Sequence, residues 1–193
     1  MLLDLTAVEE FFQRHCARSA FRLEVLEKYT VDSDEENFRD YLAGGPAPTW
    51  AAGSEWMDQL ARERAEGKRN YRVHVLASPL SDYLRYECEW GYVYTSRAGE
   101  EIFILDTAET PRPGGLIDED FYLLDDERVL VMRYDDNGCL LGGEPQPESE
   151  TGRYLRCREA ALSRAVPFAR YWAEHPQFWR EHRAPREGAR RGP

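Results

Sequence analysis

The chain has 193 residues, with 36 acidic against 25 basic side chains and a formal net charge of −11; it is 42% hydrophobic and 12% aromatic. That composition supplies the core of one globular domain and excludes a disordered chain. A surface this acidic repels phosphate backbones, which argues against direct nucleic-acid binding by the body of the domain and suits either solubility or a basic protein partner.

The elements follow in chain order. Residues 5–18 read as a helix with Thr6 as N-cap, Glu9 completing a capping box, and Val8, Phe11 and Phe12 on the apolar stripe. Phe21, Leu23 and Val25 alternate as a strand that runs on to about Val31. The segment "DSDEENFRDYLAGG" reads as a short helix with an acidic first turn, stopped at Gly44-Gly45-Pro46. "SEWMDQLARERAEGK" reads as a helix capped by Ser54, with Trp56, Met57, Leu60 and Arg64 on or near one face and Gly67 as terminator. "YRVHVLA" sets Val73, Val75 and Ala77 against Arg72, His74 and Leu76, as a half-buried strand does.

"SPLSDYLRYECEWGY" is then expected to be a helix with Ser78 as N-cap, Pro79 as first helical residue, and Ser81 and Asp82 in the first turn. Its circumference is mostly apolar, so it is expected to be largely buried. Arg85 and Glu89 stand four apart, at pairing distance. Glu87 falls on the Leu80–Leu84 stripe, where a carboxylate needs a partner such as Arg22, Arg72 or Arg97. "GEEIFILDT" reads as a strand. Residues 120–144 read as three short strands, turned at Asp125-Asp126-Glu127 and at Asn137-Gly138. Residues 153–176 read as one or two helices bent or broken at Pro167. The expected class is α+β: a single domain over 1–179 with a mixed, mainly antiparallel sheet flanked by helices, then a basic, disordered tail over 180–193.

Chemistry-bearing motifs are sparse. Cys16, Cys88, Cys139 and Cys157 form no C-x-x-C pair. G-x-S-x-G, G-x-x-x-x-G-K-[ST] and G-x-G-x-x-G do not occur. His15, His74, His175 and His182 show no metal-ligand spacing, and His74 reads as a surface or satisfied histidine ahead of a general base. The acid pairs at 125–126 and 135–136 fall on turns that favour Asp for backbone reasons, which leaves Asp118, Asp120 and Glu100 as the acids to test first. No catalytic residue, metal or cofactor is assigned. The opening "MLLDLTAVEEFF" lacks a basic n-region and no apolar run approaches the roughly 20 residues that span a bilayer, so the expected location is cytoplasmic, with no membrane partner.

"SAFRLEVLEKYTV", "RVHVLASPLSDYLRYE", "AGEEIFILD" and "DEDFYLLDDERVLVMRYDDNG" together resemble the actinobacterial family catalogued as domain of unknown function 6879, from about Phe11 to about Ala165. The family phrases fall on Phe21, Arg22, Leu23, Glu24, Pro79, Leu80, Ser81, Asp82, Tyr83, Arg85, Tyr86, Glu87, Gly99 and Glu100. The resemblance implies no activity. It implies company, because such proteins are often encoded beside helix-turn-helix regulators.

Two functions are therefore expected in competition. The first is a non-enzymatic regulatory or interaction protein, an accessory partner of a helix-turn-helix DNA-binding protein, able to sense a small ligand. The second is a small-molecule enzyme of specialised metabolism working through a Ser/Asp/Arg/Glu pocket. The candidate ligand-binding residues for either are Arg22, Glu24, Ser81, Asp82, Tyr83, Arg85, Glu87 and Glu100. Direct nucleic-acid contact through the Arg-rich tail is the weakest reading.

Overall fold

Large apolar side chains alternate at 21 and 23, at 71, 73 and 75, at 121 and 123, and at 129 and 131, a period that puts them all on one side of a sheet. The computed structural model, which describes residues 1–31, 34–48 and 55–182, shows that sheet. Its strands are β1 (Ser19–Glu24), β2 (Arg69–Leu76), β3 (Glu101–Asp106), β4 (Phe121–Leu124), β5 (Arg128–Tyr134), β6 (Leu140–Pro145) and β7 (Val166–Pro167). They lie in the order β6-β5-β4-β1-β2-β3-β7. β1, β2 and β3 run parallel, and the remaining four pairings are antiparallel. The class is α+β with a mixed, mainly antiparallel sheet in a single domain.

The first face of the sheet is closed by α6 (Thr151–Leu162). Tyr154, Cys157 and Ala161 of that helix pack on Phe21, Leu23, Val73, Phe121 and Leu123, each side chain at 2% exposure or less. The other helices are α1 (Leu5–His15), α2 (Glu35–Ala43), α3 (Glu55–Ala65), α4 (Asp82–Tyr86), α5 (Val93–Ala98) and α7 (Phe168–Glu174). A π-helical turn over Glu87–Tyr92 joins α4 to α5. The α4–α5 segment connects the neighbouring parallel strands β2 and β3, as a βαβ crossover requires. Leu80, Leu84, Cys88 and Tyr92 of this segment pack with Ile102, Ile104 and Phe168, while Tyr83, Tyr86 and Trp90 join Tyr29 and Tyr41 in an aromatic cluster.

Several expectations are corrected in detail. β1 ends at Glu24, not near Val31; beyond it Val25 donates its N–H to Asp120 Oδ1 at 2.8 Å, outside the strand ladder. Asp4 caps α1 by accepting from the Ala7 N–H at 2.9 Å, so Thr6 lies inside the helix. The helix expected from Ser78 opens three residues later. Ser81 is its N-cap, accepting from the Leu84 N–H at 3.2 Å, while the Ser78 N–H donates to Asp106 Oδ1 at 3.0 Å. Arg85 and Glu89 do not pair: Glu89 Oε2 accepts from the Tyr41 hydroxyl and the Arg180 N–H, and the Arg85 guanidinium lies over Phe178.

The local turn signals hold. Asp125 and Asp126 turn β4 into β5 at φ of 52° and 65°, and the Asp125 carboxylate accepts from the N–H groups of Ala17, Arg18 and Ser19. Asn137-Gly138 turns β5 into β6. Gly138 sits at φ 82°, where a Cβ would come 2.5 Å from the Lys28 carbonyl oxygen, so only glycine fits. Pro167 separates α6 from α7, and the break forms the short strand β7 against β3. The expected cap Ser54, and residues 183–193 of the expected tail, lie outside the described residues.

Candidate functional site

The second face of the sheet is set by the same alternation one residue out of phase: Arg22 and Glu24 on β1, Asn70, Arg72 and His74 on β2, Tyr122 on β4. Parallel register places Arg22 directly beside Arg72 and Glu24 beside His74. Two guanidiniums on adjacent strands repel one another, and Glu24 resolves this by dividing its oxygens between them. Oε1 accepts from Arg22 Nη2 at 2.9 Å and Oε2 from Arg72 Nη1 at 2.9 Å. Glu100, just before β3, closes the other side of Arg72, with Nε to Oε1 at 2.7 Å. Burial opposes the charge on Glu24, but Arg22 and Arg72 outweigh it and hold the carboxyl well below the usual carboxylate range.

Beyond Glu24 the layer turns neutral. Tyr92 Oη lies 2.9 Å from Glu24 Oε2 and 2.6 Å from His74 Nδ1, and His74 Nε2 lies 3.1 Å from the Leu26 carbonyl. A carbonyl only accepts, so Nε2 carries the ring proton and Nδ1 is left as the acceptor. Full burial lowers the His74 pKa despite the attraction of Glu24, and the imidazole stays neutral at physiological pH. Glu87 Oε2 is 3.5 Å from His74 Nδ1. Burial and the charge on Glu24 push the Glu87 carboxyl well above its ordinary value, which favours its protonated form. The π turn explains why Glu87 and Tyr92 reach the same ring: i→i+5 bonding stacks residues five apart, which an α-helix would splay. Asp120, at the start of β4, is raised to about 6 by burial, with Arg22 pulling the other way; it accepts from the Tyr29 hydroxyl at 2.7 Å.

Of the eight expected residues, the structure gathers Arg22, Glu24, Glu87 and Glu100 in this layer. It does not bring the other four there. Ser81 caps α4, Asp82 occupies its first helical position, Tyr83 packs against Phe38 and Tyr29, and Arg85 lies over Phe178. Glu87 meets His74 and not an arginine, because Glu24 already holds both Arg22 and Arg72. Arg72, His74, Tyr92, Tyr29 and Asp120 complete the layer. For Arg72 and His74 the sequence signal was the polar half of the β2 alternation, which reads as solvent-facing until the helices covering it are known; Asp120 was already among the acids to test first, and Tyr29 and Tyr92 lie outside the strands. His74 is fully buried with a partner at each ring nitrogen, a satisfied histidine and not a surface one.

Glu24, His74 and Glu87 place one ligand atom each within 4.8 Å of one another. The donor set does not fit a cation. Both Glu24 oxygens accept from guanidiniums, both His74 nitrogens have partners, and two arginines stand beside the position a divalent ion would take.

The layer reaches a cleft of about 250 Å³ at its Arg22–Arg72–Glu100 end. Phe12, Trp56 and Tyr122 supply its aromatic walls, and Trp56 is 45% exposed. Lys68 and Glu63, paired at 2.8 Å, sit on its rim with Asn70. Two buried atoms of its lining residues meet no hydrogen-bond partner, Arg22 Nε and Glu100 Oε2. A second hollow, of about 270 Å³, is lined by Tyr29, Phe38, Leu42 and Tyr83, and none of its lining residues carries such an atom.

Residues 6–173 match the family model described as Domain of unknown function (DUF6879), and the chain belongs to that family. No curated protein and no solved structure matches it. Among the described residues no helix is long and apolar enough to cross a membrane.

Proposed function

We propose, from membership of a family whose description assigns no activity, that this protein is a non-enzymatic regulatory interaction module whose charged sheet face backs a small-ligand site. The carrying observation is the division of labour along that face. Of the groups suited to proton transfer, His74 and Tyr92 are sealed at the inner end at 0% and 2% exposure, and Glu87, 13% exposed, does not line the cleft. The groups at the cleft, Arg22, Arg72 and Glu100, are recognition groups already held in ion pairs, Arg22 with Glu24 and Arg72 with Glu24 and Glu100. An enzyme needs its acid or base within reach of substrate, and Ser81, Asp82 and Arg85, the rest of the enzymatic alternative, lie away from this layer.

The proposed macromolecular partner is a helix-turn-helix DNA-binding protein, met through the acidic exterior that a net charge of −11 implies once the arginine layer is internally balanced. A ligand-observed NMR fragment screen tests the ligand site: hits on the wild type that vanish in Trp56→Ala support it, and hits indifferent to Trp56→Ala contradict it. A pull-down with the encoded helix-turn-helix neighbour tests the partner. The reading expects a complex that weakens as salt is raised, and no complex at low salt contradicts it.

A further inference from the structure

We propose that the cleft over Arg22, Arg72 and Glu100 takes a small aromatic zwitterion of the α-amino-acid class, its ammonium donated to Glu100 and its carboxylate accepting from Arg22. The inference rests on the ligand-site reading above and names the ligand's chemistry.

Glu100 is a built-in acceptor. Its side chain is 5% exposed, Oε1 takes both contacts from Arg72, and Oε2 takes none. Arg22 is the matching donor: Nη2 serves Glu24 and the Tyr134 hydroxyl, and the buried Nε serves nothing. Leaving such groups unpaired is costly, and a ligand supplying both partners recovers that cost. One acceptor and one donor call for a ligand with a donor and an acceptor of its own.

Charge narrows the class. Arg22, Arg72 and Lys68 line the cleft against Glu9, Glu63 and Glu100, so the lining itself is balanced. A net anion or net cation would disturb that balance, whereas a zwitterion preserves it. The walls set the body of the ligand. Phe12, Trp56 and Tyr122 offer ring faces and edges to an aromatic side chain. A volume of about 250 Å³ falls below the roughly 300–1,000 Å³ of drug-sized pockets and suits a single amino acid.

Calorimetric titration of the full chain with L-phenylalanine, phenethylamine and 3-phenylpropionate separates the two ends of the ligand. L-Phenylalanine is expected to bind at least about tenfold more tightly than either half, since each half forgoes one of the two charge-assisted hydrogen bonds. Glu100→Gln is expected to weaken L-phenylalanine and phenethylamine and to leave 3-phenylpropionate unchanged. Equal binding of either half and the zwitterion overturns the proposal, as does an unchanged L-phenylalanine affinity in Glu100→Gln. The three-ligand comparison on wild type stands even if that variant fails to fold. If none of the three binds while Trp56-dependent fragment hits persist, the ligand class is wrong and the ligand-site reading survives; if those hits are missing too, both fall.

Discussion

On one face of the sheet Phe21, Leu23, Val73, Phe121, Leu123 and Val131 are withdrawn from solvent and touch apolar neighbours. On the other, Glu24, Arg72 and His74 are withdrawn almost as far, yet each carries or could carry charge. The first face gains its stability by area, side chain by side chain, and each truncation costs in proportion to the volume it vacates. The second gains little net stability from its ion pairs, because desolvating a charge cancels most of the attraction, and it becomes very sensitive to the loss of any one partner. What the comparison teaches is that burial alone does not say what a strand face is for. A sheet that could have been apolar on both sides carries a balanced charge layer on one, and the pairing gaps of that layer include Arg22 Nε and Glu100 Oε2 at the cleft.

The largest expected effect comes from unbalancing the charged face. Glu24→Gln leaves Arg22 and Arg72 side by side without their shared counter-ion, and urea unfolding is expected to show a loss of about 3–5 kcal/mol. On the apolar face, Leu123→Ala is expected to cost about 2–5 kcal/mol through a cavity under α6, with no change in how stability depends on pH. A loss at Glu24 as independent of pH as that at Leu123 would remove the distinction between the faces.

Titration sharpens it further. Asp120 is raised from the ordinary 3.8 to about 6, so below about pH 4 it is protonated in both the folded and the unfolded chain. As pH rises from there to 6 the unfolded chain releases the proton first, and this group's contribution to stability is lost. Asp120→Asn is expected to flatten that fall by roughly 2–3 kcal/mol, read as unfolding free energy against pH. The Asn oxygen can still accept from Val25, and its amide can donate to Tyr29. Glu24 has the opposite sign: its contribution is present above the ordinary carboxylate value and is lost as pH falls through the depressed one.

The smallest effect is the most discriminating. Burial and Glu24 favour the protonated form of Glu87, and Glu87→Gln, which replaces that neutral form by another neutral group of the same shape, is expected to change stability at pH 7 by less than about 1 kcal/mol. A loss comparable to that of Glu24→Gln would show Glu87 to be ionised and the inner end of the layer to be charged.

How much of this was legible in the sequence depends on range. Turns at Asp125-Asp126 and Asn137-Gly138, the break at Pro167 and the parallel β2–β3 pair follow from signals confined to a few residues or to one connection. Arg22, Glu24, Glu87 and Glu100 came within view because their own segments mark them as out of place or as family phrases. Arg72 came within view only as one of three possible partners of Glu87, and His74 only as a surface or satisfied histidine, since a polar residue alternating with valines looks solvent-exposed; only the non-local arrival of helices over that face makes it interior. The π turn was invisible for a related reason. Read at 3.6 residues per turn, Glu87 belongs with Leu80 and Leu84, and one lengthened turn re-aims it at His74. Ser81 was assigned a place in a first turn and a place in a site, and only its backbone role is realised here.

Side-chain ¹H–¹⁵N NMR during a titration with L-phenylalanine tests most directly whether the charged face is the functional one. The Arg22 Nε–H and the Trp56 indole N–H are expected to shift together and to saturate, while amides around Ser81 and along α6 stay in place. Shifts confined to the Ser81 region, or saturation without movement of Arg22, would contradict the account.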